Sequence, residues 1–188
     1  MSIARICGRC LKKPPAFNKV YTPLLFQAPV DQLLRRFKFS GQLAAGKVLS
    51  QLLARHIDEL INNGLYTLPD TIVSIPLHWK KRFSRGFNQS EQIARELAQH
   101  FQIPLNCHSL TRTINTPTQR HLSYKKRQLN LADAFAITNK TPQPGARIAL
   151  IDDVLTTAAT ADAASRILLS NGASSVDIWV LARTPLES

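Results

Sequence analysis

The sequence is poor in cysteine, in long apolar runs and in acid. Cysteine occurs three times in 188 residues. Three thiols cannot build a disulfide framework, so a reducing, cytoplasmic setting is the expectation. The most apolar stretches, such as residues 147–155, are interrupted by charge well before the roughly 18 residues of a membrane span. Residues 1–10 are polar and basic and lack an apolar h-region, so neither a secretory signal nor membrane insertion is expected. Acid is scarce: twelve Asp and Glu stand against twenty-four Lys and Arg, a net charge of +12. The scarcity is local. From Met1 to Ile57 the only acid is Asp31, against ten Lys and Arg, and from Leu97 to Ala132 there is none. Such a field favours polyanions, whether nucleic acid, nucleotide or pyrophosphate. What is plentiful is apolar: 44% of residues are hydrophobic and 19% charged. That supports one real core and excludes disorder as the main state.

The chain divides into a short basic front and one larger domain. Residues 1–16 carry a Cys7-Gly8-Arg9-Cys10 knuckle and a Lys12-Lys13-Pro14-Pro15 linker; residues 17–188 form the domain. A short strand is predicted over 21–26, and helices over 30–37 and 43–60. The second helix is broadly apolar and expected to be well buried, ending at Asn62-Asn63-Gly64. Residues 71–75 read as a strand and 76–87 as a basic loop. Asn88-Gln89-Ser90-Glu91 opens a helix that runs to about Phe101. Strands follow at 110–113 and 134–137, separated by a polar, basic stretch over 117–131. A buried strand spans 147–152, Thr160 caps a helix that ends at Asn171-Gly172, and a last strand spans 176–181. This alternation means parallel βαβ units, an α/β class.

The chemistry concentrates at 148–160. A buried strand runs into Asp152-Asp153, then Thr156-Thr157-Ala158-Ala159-Thr160, and then a helix. Ligands of open α/β sheets sit at the carboxyl ends of strands. Loop N–H groups in front of a helix N-terminus make an anion site, and the threonine hydroxyls add donors. The adjacent carboxylates can accept hydrogen bonds from vicinal hydroxyls. The expected ligand is a ribose 5-phosphate group.

This segment resembles the 5-phosphoribosyl-1-pyrophosphate (PRPP) signature of type I phosphoribosyltransferases. More closely, the chain resembles the ComF/GntX family of competence and DNA-utilisation proteins. The likeness is carried by Phe37-Lys38-Phe39-Ser40-Gly41, Ile75-Pro76-Leu77 and Arg85-Gly86-Phe87-Asn88-Gln89. It continues through Arg112, Thr116, Gln119, Leu122, Arg127, Asn130 and Ala134-Phe135. The resemblance implies a type I phosphoribosyltransferase-like fold, a mostly parallel central sheet flanked by helices, with a small N-terminal hood before about Leu68. It implies PRPP with Mg²⁺ as ligand, Asp152 and Asp153 as the catalytic pair on the ribose hydroxyls, and residues 156–160 on the 5-phosphate. A role in DNA uptake or in use of DNA as nutrient follows, with single-stranded DNA and a DNA-uptake helicase as partners. Two departures stand out. Family loops read Thr-Thr-Gly-Ser-Thr where this chain has Ala158 and Ala159, and alanine resists the positive φ that glycine adopts freely. Family members also carry a four-cysteine zinc element, of which Cys7 and Cys10 match the last pair. Two thiolates are half a structural site, so no zinc is expected in this chain.

Other basic residues suit the same ligand. Lys80, Lys81, Arg82 and Arg85 follow a strand and are assigned to pyrophosphate or a nucleic-acid backbone, as is Arg112. Gly86 and Asn88 shape the turn and cap. Residues 41–47 approach a nucleotide-binding P-loop, but Val48 stands where Ser or Thr is needed and a helix precedes the glycine, so that reading is rejected. The histidines are scattered and Cys107 is expected to be inert. Two function classes remain: a PRPP-binding enzyme, or a non-catalytic module on the same fold that binds single-stranded DNA or a protein partner.

Overall fold

The computed structural model describes residues 10–11, 13–39, 42–77, 86–113, 134–138 and 142–185. Its frame is a six-stranded sheet. In chain order the strands are β1 (Val20–Tyr21), β2 (Leu24–Leu25), β3 (Thr71–Ser74), β4 (Leu105–Asn106), β7 (Arg147–Leu155) and β8 (Ser175–Arg183). The order across the sheet is β1-β8-β7-β3-β4, with β2 also on β8, and every pairing is parallel. A separate antiparallel ribbon joins β5 (Leu110–Arg112) to β6 (Phe135–Ile137). The mostly parallel sheet expected from the alternating pattern is therefore present. The strand expected over 21–26 is split into β1 and β2 around Thr22-Pro23, because proline cannot donate to a ladder. Both pieces lie along β8, so the N-terminal region contributes edge strands to the main sheet.

Strand residues alternate between two cores, as a sheet buried on both faces requires. Ala149 and Ile151 point into one, with Ile72, Trp179 and Leu181. Ile148 and Leu150 point into the other, with Val73, Val176, Ile178 and Val180. Helices α1 (Val30–Phe39), α2 (Leu43–Asn62) and α3 (Gln89–Phe101) cover the first face. Helix α4 (Ala159–Ser170) and the β5–β6 ribbon cover the second.

Helix α2 is amphipathic, not buried all round as its composition had indicated. Leu49, Leu53 and Ile57 are buried, while Leu43, Val48 and Leu52 are exposed. Its Gly46 lies in the first turn of the helix, so residues 43–47 are helical and not a phosphate-binding loop. The glycine serves packing. A Cβ there would stand 2.4 Å from a ring carbon of Phe37. Phe37 is fully buried, and its ring packs on Phe87 at 5.6 Å between centroids, so it has no room to yield. Gly46→Ala is expected to cost up to about 2 kcal/mol in urea unfolding, because at a 2.4 Å approach to a fixed ring the overpacking sits at the upper end of roughly 1–3 kcal/mol and outweighs about 1 kcal/mol of helix propensity. An equal or higher midpoint would refute this notch. The notch matters because Phe37 fixes the last turn of α1, from which Lys38 reaches the sheet.

Candidate functional site

Among the described strands the sheet has one topological switch point. From β3 the chain crosses through α3 to β4 on one side; from β7 it crosses through α4 to β8 on the other. The crevice between the carboxyl ends of β3 and β7 is where such sheets bind ligands. Pairing of β3 with β7 ends at Ser74 opposite Ile151, closed by the Ile75 N–H donating to the Ile151 carbonyl at 3.0 Å. Asp152 and Asp153 come next on β7. Sequence reasoning ended the strand at these carboxylates, but β7 continues to Leu155 because β8 keeps pairing beside it, through Val154 with Ala182 and Leu155 with Arg183. The acids are thus held by a strand on one side and open to the crevice on the other.

Each carboxylate has its own setting. Asp152 Oδ1 accepts from Ser90 Oγ at 3.0 Å and from the Asp153 N–H at 2.9 Å. Asp153 Oδ2 lies 2.8 Å from Lys38 Nζ. Burial and then the neighbouring Asp153 charge push Asp152 well above the usual carboxylate range, against the opposing pull of its hydrogen bonds and of Lys38. A carboxyl held in this way is a feature of functional sites.

Ser90 is aimed by the start of α3. Asn88 caps that helix as expected: its side-chain oxygen accepts from the Ser90 N–H at 3.2 Å. Its Nδ2 donates to the Ile75 carbonyl at 3.1 Å, tying the helix start to the end of β3. Arg112 comes from the ribbon on the opposite face. Its guanidinium lies over the Phe135 ring, 5.4 Å from the centroid. Burial draws the group below its ordinary value, and the Asp152 charge works the other way. Arg112 is therefore a cation in electrostatic reach of the acid pair.

The loop after β7 leads to α4. The Thr184 N–H donates to the Leu155 carbonyl at 3.0 Å, anchoring the loop to the end of β8. Thr156 is exposed, Thr157, Ala158 and Thr160 are half-buried, and Ala159 is buried. Ala158 adopts φ 60° and ψ −1°, the left-handed region, and is the N-cap residue of α4 without any side-chain cap. The helix thus begins before Thr160, which was expected to cap it and instead lies in the first turn. A left-handed residue at a helix start turns successive N–H groups toward one concavity, the geometry of an anion nest. The positive end of the α4 dipole adds to it.

The structure thus brings together Asp152, Asp153 and Arg112 of the residues singled out from sequence, with the 156–160 loop on the same β7 exit. Lys80, Lys81, Arg82, Arg85, Cys7 and the 117–131 stretch lie outside the described residues. Lys38 and Ser90 were missed as site residues. The one available signal for Lys38 was its position in the quoted family motif, flanked by Phe37 and Phe39. Cys107 is half-buried, and burial pushes its thiol up, away from reactivity. Among the described residues no helix is long and apolar enough to cross a membrane.

Comparison with known proteins gives the chain its relatives. DNA utilization protein YhgH of Escherichia coli is 36% identical over 178 residues, covering 95% of this chain and 78% of the relative. Competence protein F of Haemophilus influenzae is 34% identical over 181 residues, covering 96% and 79%. Competence protein ComFC of Bacillus subtilis is 29% identical over 171 residues, covering 89% and 64%. No protein-family model matches the chain. Structural neighbours are phosphoribosyltransferases. Glutamine PRPP amidotransferase from B. subtilis aligns over 72% of this chain and 26% of its own, at 18% identity and TM-score 0.47. Purine phosphoribosyltransferase from Pyrococcus horikoshii aligns over 72% and 83%, at 14% and 0.44. With more than a third of its residues shared with a curated relative over most of both chains, the protein belongs to the ComF family of competence and DNA-utilization proteins.

Proposed function

We propose that this protein binds PRPP or a related ribose 5-phosphate group in the crevice between β3 and β7, in the service of DNA uptake or of DNA used as nutrient. One observation carries the reading: an acid pair at the switch point is followed directly by a loop with a left-handed residue at a helix start. Asp152 and Asp153 accept hydrogen bonds from the vicinal ribose hydroxyls. The nest at 156–160 takes the 5-phosphate through backbone N–H groups and the hydroxyls of Thr156, Thr157 and Thr160. Arg112 offsets the charge of the acids so that a polyanion can approach. Lys80, Lys81, Arg82 and Arg85 follow β3 in sequence and are assigned to the pyrophosphate by their charge alone.

Mg²⁺ suits such a site, because it takes one or two carboxylates together with substrate oxygens. Among the described residues no three His, Cys, Asp or Glu side chains converge, and the ion would be held chiefly by the ligand's own oxygens with Asp152 or Asp153. With pyrophosphate present it supplies charge neutralisation on the leaving oxygens. The test is calorimetric titration of the purified chain with PRPP and Mg²⁺. Saturable binding supports the reading, and no heat at millimolar ligand overturns it.

The excess of 12 positive charges supports a second reading, a module that holds single-stranded DNA and passes it to a helicase-like partner. The names of the relatives support this reading too. Binding to single-stranded DNA is expected to be independent of sequence and to weaken steeply with salt, through counterion release. Fluorescence anisotropy over a salt series measures it. Salt-insensitive binding, or none at low salt, counts against a DNA surface.

A further inference from the structure

The Lys38–Asp153 ion pair has no place in the scheme above, and it is built with care. Lys38 is in the last turn of α1, whose end is fixed by Phe37 against Gly46. Its side chain is 21% exposed and that of Asp153 16%, with Nζ and Oδ2 at 2.8 Å. The same ammonium pulls on Asp152. A helix from the N-terminal region thus holds, by one charged bond, a carboxylate assigned to a sugar hydroxyl.

We propose that this pair is a selectivity latch: Lys38 holds Asp153 against uncharged diols and releases it only to a sugar phosphate carrying an anion at its first carbon. The pyrophosphate of PRPP is that anion. The inference rests on the sugar-phosphate reading given above and assigns Lys38 a role within it.

Three arguments lead there. The first is energetic. A hydroxyl is a neutral donor, and a charge-assisted hydrogen bond is about twice as strong as a neutral one. A ribose hydroxyl cannot take Asp153 from an ammonium at a profit unless the ammonium gains another anion. The second is spatial. The 156–158 loop leads into α4 on one face of the sheet, whereas Lys38 comes from α1 on the other. A ribose lying across the carboxyl edge with its 5-phosphate in the α4 nest turns its first carbon toward the α1 side. The third is chemical. Of the two cations near the acids among the described residues, Arg112 is stacked on Phe135 and set in its place. Lys38 is a point charge on a flexible four-carbon stem, able to swing from carboxylate to phosphate while α1 stays in its notch.

The experiment titrates PRPP and ribose 5-phosphate, each with Mg²⁺, into the wild-type chain and into Lys38→Met and Lys38→Arg. Far-ultraviolet circular dichroism and thermal melting establish that the variants fold, and Lys38→Gln replaces Lys38→Met if that variant does not. In the wild type PRPP binds more tightly than ribose 5-phosphate. Lys38→Met is expected to lower PRPP affinity about ten- to a hundredfold, the loss of one charged hydrogen bond. Ribose 5-phosphate affinity is expected to stay within about threefold or to rise, since its competitor for Asp153 is gone. Lys38→Arg is expected to restore most of the PRPP preference. Equal weakening of both ligands, or unchanged PRPP affinity in a folded variant, overturns the latch and leaves the sugar-phosphate site standing. Failure of the wild type to bind either ligand overturns the sugar-phosphate site, and the latch with it.

Discussion

Asp152→Asn is expected to make the protein more stable at neutral pH and poorer at binding PRPP. The two effects share a cause. Asp152 is half-buried beside Asp153, and desolvation first and the neighbouring charge second raise its folded value above the ordinary range. A carboxyl raised in the folded state holds a proton that the unfolded chain has already released. Its contribution to stability is present below the unfolded value, about pH 4, and is lost as pH rises through the folded value. The amide carries no such penalty, and its oxygen still accepts from Ser90 Oγ and the Asp153 N–H. The variant is therefore expected to melt a few degrees above wild type at pH 7.5, at roughly 2–4 °C per kcal/mol for a chain of this size. The gain is expected to vanish near pH 4. Binding moves the other way. Replacing an ionised acceptor of a ligand hydroxyl removes about 1.5–3 kcal/mol, a ten- to hundredfold loss of PRPP affinity. Asp153→Asn is expected to lose affinity by a similar factor, with its fold intact. Two measurements decide: calorimetric affinity at pH 7.5, and melting temperature from pH 4 to 8. Wild-type affinity in folded variants would remove these acids from the site. A melting difference that does not change with pH would show that Asp152 is not strained by its charge.

Elements whose signals are local were legible in the sequence. Asn88 precedes Ser90 and Glu91 in a sequence that can only be a helix start, and the cap forms at that residue. The β-branched run at Thr71 gives β3, and the alternation of strands and helices gives the parallel sheet. Elements made by a partner distant in sequence were not legible. Leu105–Asn106 has no β-branched residue and becomes a strand only because β3 lies alongside. Two adjacent aspartates look like the end of a strand, yet β7 runs on because β8 supplies the ladder beside it. The exposed Val48 and Leu52 could not be told from core by composition, since sidedness depends on where α1 and α3 pack. At the candidate site the pattern is the same. The acids and the loop are contiguous and could be read together. Ser90 and Lys38 reach them from two other helices.

Ala158 is where the loop carries most strain, and opposite substitutions there are expected to move the protein in opposite directions. The family pattern that this chain resembles has glycine at the position, and the backbone keeps glycine geometry, φ 60°, with an alanine in place. An L-residue in that region costs about 1–2 kcal/mol, from Cβ against the following carbonyl. Ala158→Gly removes the cost and adds about 0.4–1 kcal/mol of unfolded-chain entropy, and it gives up the contact of the alanine methyl with the core under α4. The net is expected to be a small gain in melting temperature. PRPP affinity is expected to rise by up to about tenfold, because a nest without a Cβ lets phosphate approach the N–H groups more closely. Ala158→Val is the reverse case. A β-branched residue at positive φ is a true outlier, and its strain adds about 1–3 kcal/mol. The loop must leave the left-handed region or the fold must absorb that energy. Melting is expected to drop by several degrees, and PRPP affinity to fall at least about tenfold as the nest opens. The variants are compared with Asn63→Ala, which removes a side-chain hydrogen bond to the Glu59 carbonyl at the far end of α2 and leaves the 156–158 loop and the acid pair untouched. If the three melt in the order Gly, wild type, Val while only the Ala158 variants change PRPP affinity beyond their stability, the left-handed residue belongs to the phosphate site. If Ala158→Val binds as wild type does, the phosphate does not sit on this turn.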